Sequence, residues 1–230
     1  MTVHHPHAPR HAAHPRAIAF FGGSFDPIHS GHMAVALAAQ RRFHLDAIYF
    51  VPSSRPPHKL KHRLEVFAHR YAMVALACAE HPLYIPSVAE APADGASTHV
   101  YFSIDTVRKF RKDFPDDHLY FILGADSFLE IPTWKSYEAL LDTCDFIVAS
   151  RPGFRIEAIR LVIPPEKLGR VTSSDPHTIV LRKSRVHLLT TVANLLSSTE
   201  IRCRVSRGQS IHELVPARVE EYILRQALYR

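Results

Sequence analysis

The chain has 230 residues, a formal net charge of +6 and 47% hydrophobic residues, enough for one domain with a sizeable core. No apolar run approaches the ~20 residues of a membrane span and the N-terminus lacks the apolar core of a signal peptide, so a membrane partner is not expected and the cytoplasm is. The charge excess lies wholly in 151–207, with eleven Lys or Arg against four Asp or Glu; without interleaved aromatics it reads as a solvated face or a polyphosphate pocket before a nucleic-acid surface.

Residues 1–16 carry five His and three Pro with no hydrophobic period, and read as a disordered tail whose spacing matches no zinc module. From residue 17 to 230 the chain reads as a single domain. Strand-like runs at Ala17–Phe21, Ala47–Val51, Leu119–Leu123, Asp145–Ala149 and Val186–Leu189 alternate with helical stretches from His32 to Phe43, Arg63 to Ala79, Ser103 to Phe110 and Tyr137 to Leu141. Short extended pieces fall at Leu83–Ile85 and Ser87–Ala89, and a helix over Val215–Ala227 closes the chain. Near-continuous apolar strands separated by helices predict an α/β fold, an open and mostly parallel sheet with helices on both faces. The Pro- and Ser-rich stretch 164–185 reads as an excursion within that domain. Cys78, Cys144 and Cys203 lack metal or redox spacing and read as buried thiols of a reducing compartment.

The first strand runs directly into Gly22-Gly-Ser-Phe-Asp-Pro-Ile-His-Ser-Gly-His32. A strand-to-helix junction gathers unpaired N–H groups and the positive end of a helix dipole, which suits a phosphate. Here Gly22 and Gly23 would let the backbone approach a ligand, Asp26-Pro27 would make a turn, and Ser30 would cap the helix. His29 and His32, three apart, can face one anion. Ligands of open parallel sheets bind beyond the carboxyl ends of strands, and other distinctive residues follow strands too: Pro52–Lys59, Gly124-Ala-Asp126 and Arg151-Pro-Gly153. Asp126 there is either a ribose or metal ligand or a solvent-facing turn residue. Trp134, the single tryptophan, is either core or a stacking platform. Ser197-Ser-Thr-Glu200 has capping-box spacing, which places Arg202 in a helical first turn where only a bound anion would favour a cation. Walker, GxSxG and HExxH sequences are absent, so transfer directly between phosphates fits better than a covalent intermediate.

These segments resemble the nicotinate-nucleotide adenylyltransferases, within the (T/H)xGH nucleotidyltransferase superfamily. The resemblance runs from Ala17 to Arg230 and rests on GGSFDPIHSGH, PPHK, FSIDT, GADSF, PTW, SRPG, SSTEIR and the closing YILRQALYR. It implies a Rossmann-like nucleotidyltransferase fold and adenylyl transfer from ATP to nicotinate mononucleotide. Mg²⁺ would accompany ATP, and no side-chain set is assigned to hold a metal. His29, His32 and Arg202 would be catalytic. Gly22, Gly23, Ser24, Ser198 and Thr199 would join them around the phosphates, with Asp126, Ser150 and Arg151 on the adenosine. Trp134 would stack on the nicotinate ring, with Ser103 and Lys135 near its carboxylate and His58 and Lys59 near the mononucleotide phosphate. The chain departs from the family at Phe102-Ser103, where Tyr-Thr is usual, so nicotinate preference is implied by the family alone. Sister enzymes acting on nicotinamide mononucleotide or 4′-phosphopantetheine are the rival readings, and the sequence leaves self-association into a homo-oligomer open.

Overall fold

The computed structural model describes residues 14–54, 64–92, 100–150, 153–171, 173–190 and 196–230. In chain order the strands are β1 (Ala17–Gly23), β2 (Ala47–Pro52), β3 (Tyr84–Pro86), β4 (His118–Gly124), β5 (Asp145–Ala149), β6 (Thr178–Val180) and β7 (Arg185–Leu189). The α-helices are α1 (Ser30–Phe43), α2 (Phe67–Cys78), α3 (Ser103–Asp113), α4 (Ala125–Leu129), α5 (Tyr137–Leu141), α6 (Ile156–Leu161), α7 (Ser198–Ser206) and α8 (Ala217–Arg225). The sheet order is β3-β2-β1-β4-β5-β7-β6, parallel throughout except for β6. The strand order reverses between β1 and β4, the kind of switch point where a crevice opens at the carboxyl edge.

Alternation along each strand divides the core in two. Ile18 and Phe20 of β1 face one side with Val107 and Phe110 of α3, Phe128 of α4 and Leu140 of α5. Ala19 and Phe21 face the other, with Ala36 of α1, Met73 of α2, Ile201 of α7 and Ile223 of α8. Both faces of each strand are therefore apolar, which is why the strands read as continuous runs. The Phe20 ring stacks on Phe110 and Phe121 at 4.9 and 4.7 Å, and truncating such a ring to Ala costs about 3–5 kcal/mol.

Several expectations need correction. The N-cap of α1 is His29, while Ser30 is the first helical residue and its hydroxyl donates to Glu213 O at 2.7 Å. The second helix starts at Phe67, because the Glu65 N–H and C=O are drawn to Asp26 and Arg70. Pro216 caps α8 and sets its start after the expected residue. Arg16, assigned to the tail, is fixed on Asp117 through its N–H and its guanidinium, at 2.9 and 2.6 Å. The 164–185 stretch supplies the antiparallel edge strand β6, held on β7 by the pairs Thr178 to His187 and Val180 to Arg185. Cys78 and Cys144 are buried and Cys203 half-buried, all as free thiols. Among the described residues no helix is long and apolar enough to cross a membrane. Residues 1–13 of the expected tail lie outside the described residues.

Candidate active site

At the carboxyl edge a cleft of about 1100 Å³ opens over the ends of β1, β4 and β5, larger than the roughly 300–1,000 Å³ of a typical single-ligand pocket. Gly22 and Gly23 form its floor. A Cβ on Gly22 would sit 3.0 Å from the Phe121 ring, and one on Gly23 3.1 Å from the Phe25 ring. The glycines therefore leave room for these aromatic rings while lining the cleft. Phe25, 1% exposed, holds φ of +45°, a conformation that costs a non-glycine residue about 1–3 kcal/mol and persists where its surroundings fix it.

Part of that fixing comes from Arg70 of α2, which is 1% exposed. Its guanidinium donates to Ser24 O at 2.7 Å, Glu65 O at 2.8 Å and Ser54 O at 3.2 Å, tying three loops together beneath the cleft. Burial lowers its pKa and the Asp26 charge opposes that shift. No motif marked this residue in the sequence; its one signal was an arginine inside the apolar helical run Phe67–Cys78.

The two imidazoles meet at the start of α1. The His29 and His32 ring centroids are 3.7 Å apart, and His32 packs edge-on against Phe25 at 5.0 Å. The His29 N–H donates to His32 Nδ1 at 3.2 Å, which sets the hydrogen of a neutral His32 ring on Nε2 as a donor. His29 in turn faces the His32 N–H in a capping-box arrangement, yet its buried Nδ1 makes no hydrogen bond of ordinary geometry. Burial lowers the His29 pKa to about 4, so the ring is neutral at pH 7 unless an anion arrives.

The start of α7 docks on the same loop. Ser197 caps it, its Oγ accepting from Glu200 N–H at 3.2 Å. The Ser198 hydroxyl donates to Pro27 O at 2.9 Å. Arg202 is the fifth helical residue rather than part of the first turn, and it reaches back toward the helix start, as helical side chains do. It donates to Asp26 O at 2.7 Å and to Thr199 Oγ1 at 3.3 Å. His29, His32, Ser24, Ser198, Thr199 and Arg202 all line the one cleft.

Across the cleft, Asp126 is exposed in the first turn of α4, and the Ser150 hydroxyl is buried with no hydrogen-bond partner. Trp134 is half-buried with its ring 6.3 Å from that of Phe121, so it is packed on the core and borders the cleft at once. Ser103 opens α3, whose first N–H groups have no helical acceptor. Lys135 Nζ lies 4.2 Å from the Phe102 ring centroid and 3.4 Å from Asp105. A second carboxylate missed in the sequence, Glu90, accepts from Thr106 Oγ1 at 2.7 Å, and burial raises its pKa. Arg151, His58 and Lys59 lie outside the described residues. Among the described residues no group of three His, Cys, Asp or Glu is placed to hold a metal ion.

A cytidylyltransferase-like family profile matches residues 20–204. A probable nicotinate-nucleotide adenylyltransferase of Moorella thermoacetica is 42% identical over 94% of this chain and 93% of its own length. One of Thermoanaerobacter sp. is 38% identical over 93% of this chain and 94% of its own. Among solved structures, Plasmodium falciparum nicotinic acid mononucleotide adenylyltransferase complexed with NaAD superposes with a TM-score of 0.70 over 93% of this chain and 97% of its own, at 21% identity. With relatives this similar over nearly its whole length, the chain belongs to the nicotinate-nucleotide adenylyltransferase family, nucleotidyltransferases of Rossmann-like fold.

Proposed function

We propose that the cleft joins ATP to nicotinate mononucleotide, releasing pyrophosphate and nicotinate adenine dinucleotide. One observation carries the assignment of roles: Arg202, 170 or more residues away in sequence, borders the same cavity as His29 and His32. Imidazoles at a helix N-terminus, hydroxyls and a guanidinium make a donor set for a polyphosphate.

In this reading the mononucleotide phosphate attacks the α-phosphorus of ATP in line. The His29 and His32 rings, with Ser24 and the Gly22–Gly23 backbone, meet the α- and β-phosphate oxygens. Ser198, Thr199 and Arg202 meet the β- and γ-phosphates, where negative charge grows as pyrophosphate leaves. Donors already fixed at those positions lower the barrier without having to reorganise. Asp126 and Ser150, with Arg151, take the adenosine. Trp134 takes the pyridine ring, with N–H groups near Ser103 and Lys135 for its carboxylate and His58 and Lys59 for its phosphate. This donor set suits a Mg²⁺ ion held through phosphate oxygens and water rather than by a protein cage. When bound with ATP, the ion would neutralise charge on the departing pyrophosphate.

The test is pyrophosphate release from ATP and Mg²⁺ with nicotinate mononucleotide, nicotinamide mononucleotide or 4′-phosphopantetheine as acceptor. The nicotinate compound is expected to give the largest kcat/KM. Release with another acceptor and none with nicotinate mononucleotide would replace this reading by that of a sister enzyme.

A further inference from the structure

Arg202 is held from behind. Its Nη1 donates to the main-chain carbonyl of Asp26 at 2.7 Å and stands 3.8 Å from the same residue's carboxylate Oδ2. That carboxylate is 1% exposed. A buried carboxylate beside a guanidinium would ordinarily close to a direct, short pair, because nothing else compensates its lost hydration. Here other partners do so: Glu65 N–H donates to Oδ2 at 3.3 Å, the Tyr229 hydroxyl donates to Oδ1 at 2.7 Å, and the buried Arg70 guanidinium adds a favourable charge from a distance.

Tyr229 is the last residue but one, and its reach to Asp26 spans 203 positions. It is also held in an unfavourable backbone conformation. Ala227 and Tyr229 have φ of +52° and +63°, while Leu228 between them is buried in the core. Non-glycine residues adopt that region only where surrounding structure fixes them. Burial and the Asp26 carboxylate both raise the Tyr229 pKa, so its hydroxyl keeps its proton and acts as the donor.

We propose that Tyr229 is a positioning residue for ATP: by satisfying the Asp26 carboxylate, it keeps the Arg202 guanidinium at the cleft, available to a polyphosphate. Without that hydroxyl, Asp26 turns to Arg202 for compensation and competes with the ligand for the same N–H groups. The segment that follows α8 is in this way part of the nucleotide site. The proposal rests on the reading of the cleft given above.

The test compares ATP affinity, measured at equilibrium without acceptor, in the full-length protein and in Tyr229→Phe. The Phe ring still fills its place, and circular dichroism with thermal melting reports folding separately. Tyr229→Phe is expected to weaken ATP about five- to tenfold and leave the KM of the mononucleotide within about twofold. Arg202→Ala weakens ATP further, and adding Tyr229→Phe to it is expected to change little, since groups acting in series are not additive. Removal of Arg230 alone, a control for general disturbance of the C-terminus, should leave ATP affinity as it was. Unchanged ATP affinity in Tyr229→Phe, equal weakening of both substrates, or full additivity with Arg202→Ala would each overturn the proposal. Tight ATP binding without turnover in the unmodified protein would instead sink the adenylyltransferase reading, and the affinity measurement would still decide the role of Tyr229.

Discussion

Where the strands of the sheet begin, Asp117 receives the Arg16 N–H and guanidinium at 2.9 and 2.6 Å, and Asp46 receives the Ala17 N–H at 2.8 Å. Asp145 receives the Arg185 N–H at 2.7 Å, with His118 Nε2 at 2.9 Å and His187 Nε2 at 3.8 Å. Where the same strands end, buried His29 Nδ1, Ser53 Oγ and Ser150 Oγ all border the cleft and have no hydrogen-bond partner. Leaving a buried polar atom unpaired costs about 1–3 kcal/mol, and here three such atoms gather at the cleft, against one, the Tyr84 hydroxyl, on the residue that opens β3. Hydrogen-bonding capacity that the fold withholds from itself is capacity for a ligand. One edge is built to stay folded and the other to bind, so substitutions at the two edges should separate stability from activity.

The largest separation is expected at His32. Its Nδ1 is occupied by the His29 N–H, so in the proposed mechanism its other ring nitrogen is the one that would serve a transition-state charge. His32→Ala is expected to lower kcat by about 10²–10⁴, the range for loss of one aimed donor or acid–base group, while circular dichroism stays unchanged. Pyrophosphate release measures it, and a loss below tenfold would remove His32 from the chemistry.

Asp145 should behave in the opposite manner. Burial pushes its carboxyl up, but hydrogen bonds from His118 and the Arg185 N–H, with the His187 ring close by, outweigh that and leave it well below the usual carboxylate range. Asp145→Asn is expected to cost about 2 kcal/mol in urea unfolding, as for lost hydrogen bonds to a charged group, with kcat and both KM values unchanged at 25 °C. With the folded pKa depressed, its contribution is present above the unfolded value of 3.8 and fades as pH falls below it. Altered turnover in folded Asp145→Asn would break the division between the edges.

A smaller effect distinguishes the edges by pH. His29 has a folded pKa of about 4 against 6.5 when unfolded. Between those values the unfolded chain binds more protons, so stability falls as pH is lowered from about 6.5 to about 4. His29→Asn is expected to flatten that part of the curve and to leave the steeper loss below pH 3.8, where Asp145 titrates, in place. Urea midpoints measured from about pH 3 to 7 check it, and an unchanged slope between pH 4 and 6.5 would mean that His29 is not desolvated in solution.

The sequence carried the fold where hydrophobic burial is continuous along the chain, and the site where chemistry sits in contiguous motifs. Ala17–Phe21 and Asp145–Ala149 were legible because both faces of each strand are covered. β6 was not, because three residues give no period and its partner β7 lies beyond a turn. The helices α4 and α6, of five and six residues, were not legible either, although the equally short α5 was. The cleft residues after β1 and at α7 were found from their motifs. What stayed hidden was the support behind them: Arg70 on three carbonyls, and Asp26 joining Arg202 and Tyr229. Those contacts span 5 to 203 positions and exist only after the chain has folded. Ser30 was misread for a related reason: its hydroxyl is more useful to the loop before α8, at Glu213 O, than to its own helix.

The finest discrimination is expected at Ser150, where one substitution should move stability and binding in opposite directions. Its hydroxyl is buried at the end of β5 with no partner, while its N–H is used by Leu189 O at 3.0 Å. Ser150→Ala removes an unsatisfied polar atom and leaves the backbone bond intact. The free protein should gain a few tenths of a kcal/mol and up to about 1 kcal/mol, since the desolvation cost of the hydroxyl disappears. ATP affinity should fall about two- to fivefold, because the adenosine loses a donor or acceptor worth about 0.5–1 kcal/mol. Thermal melting with and without ATP reads both signs in one experiment: a higher Tm for the free variant and a smaller ATP-induced rise. A lower Tm in the absence of ATP would mean that Ser150 already spends its hydrogen bond within the protein, and the contrast between the two edges would lose its third member.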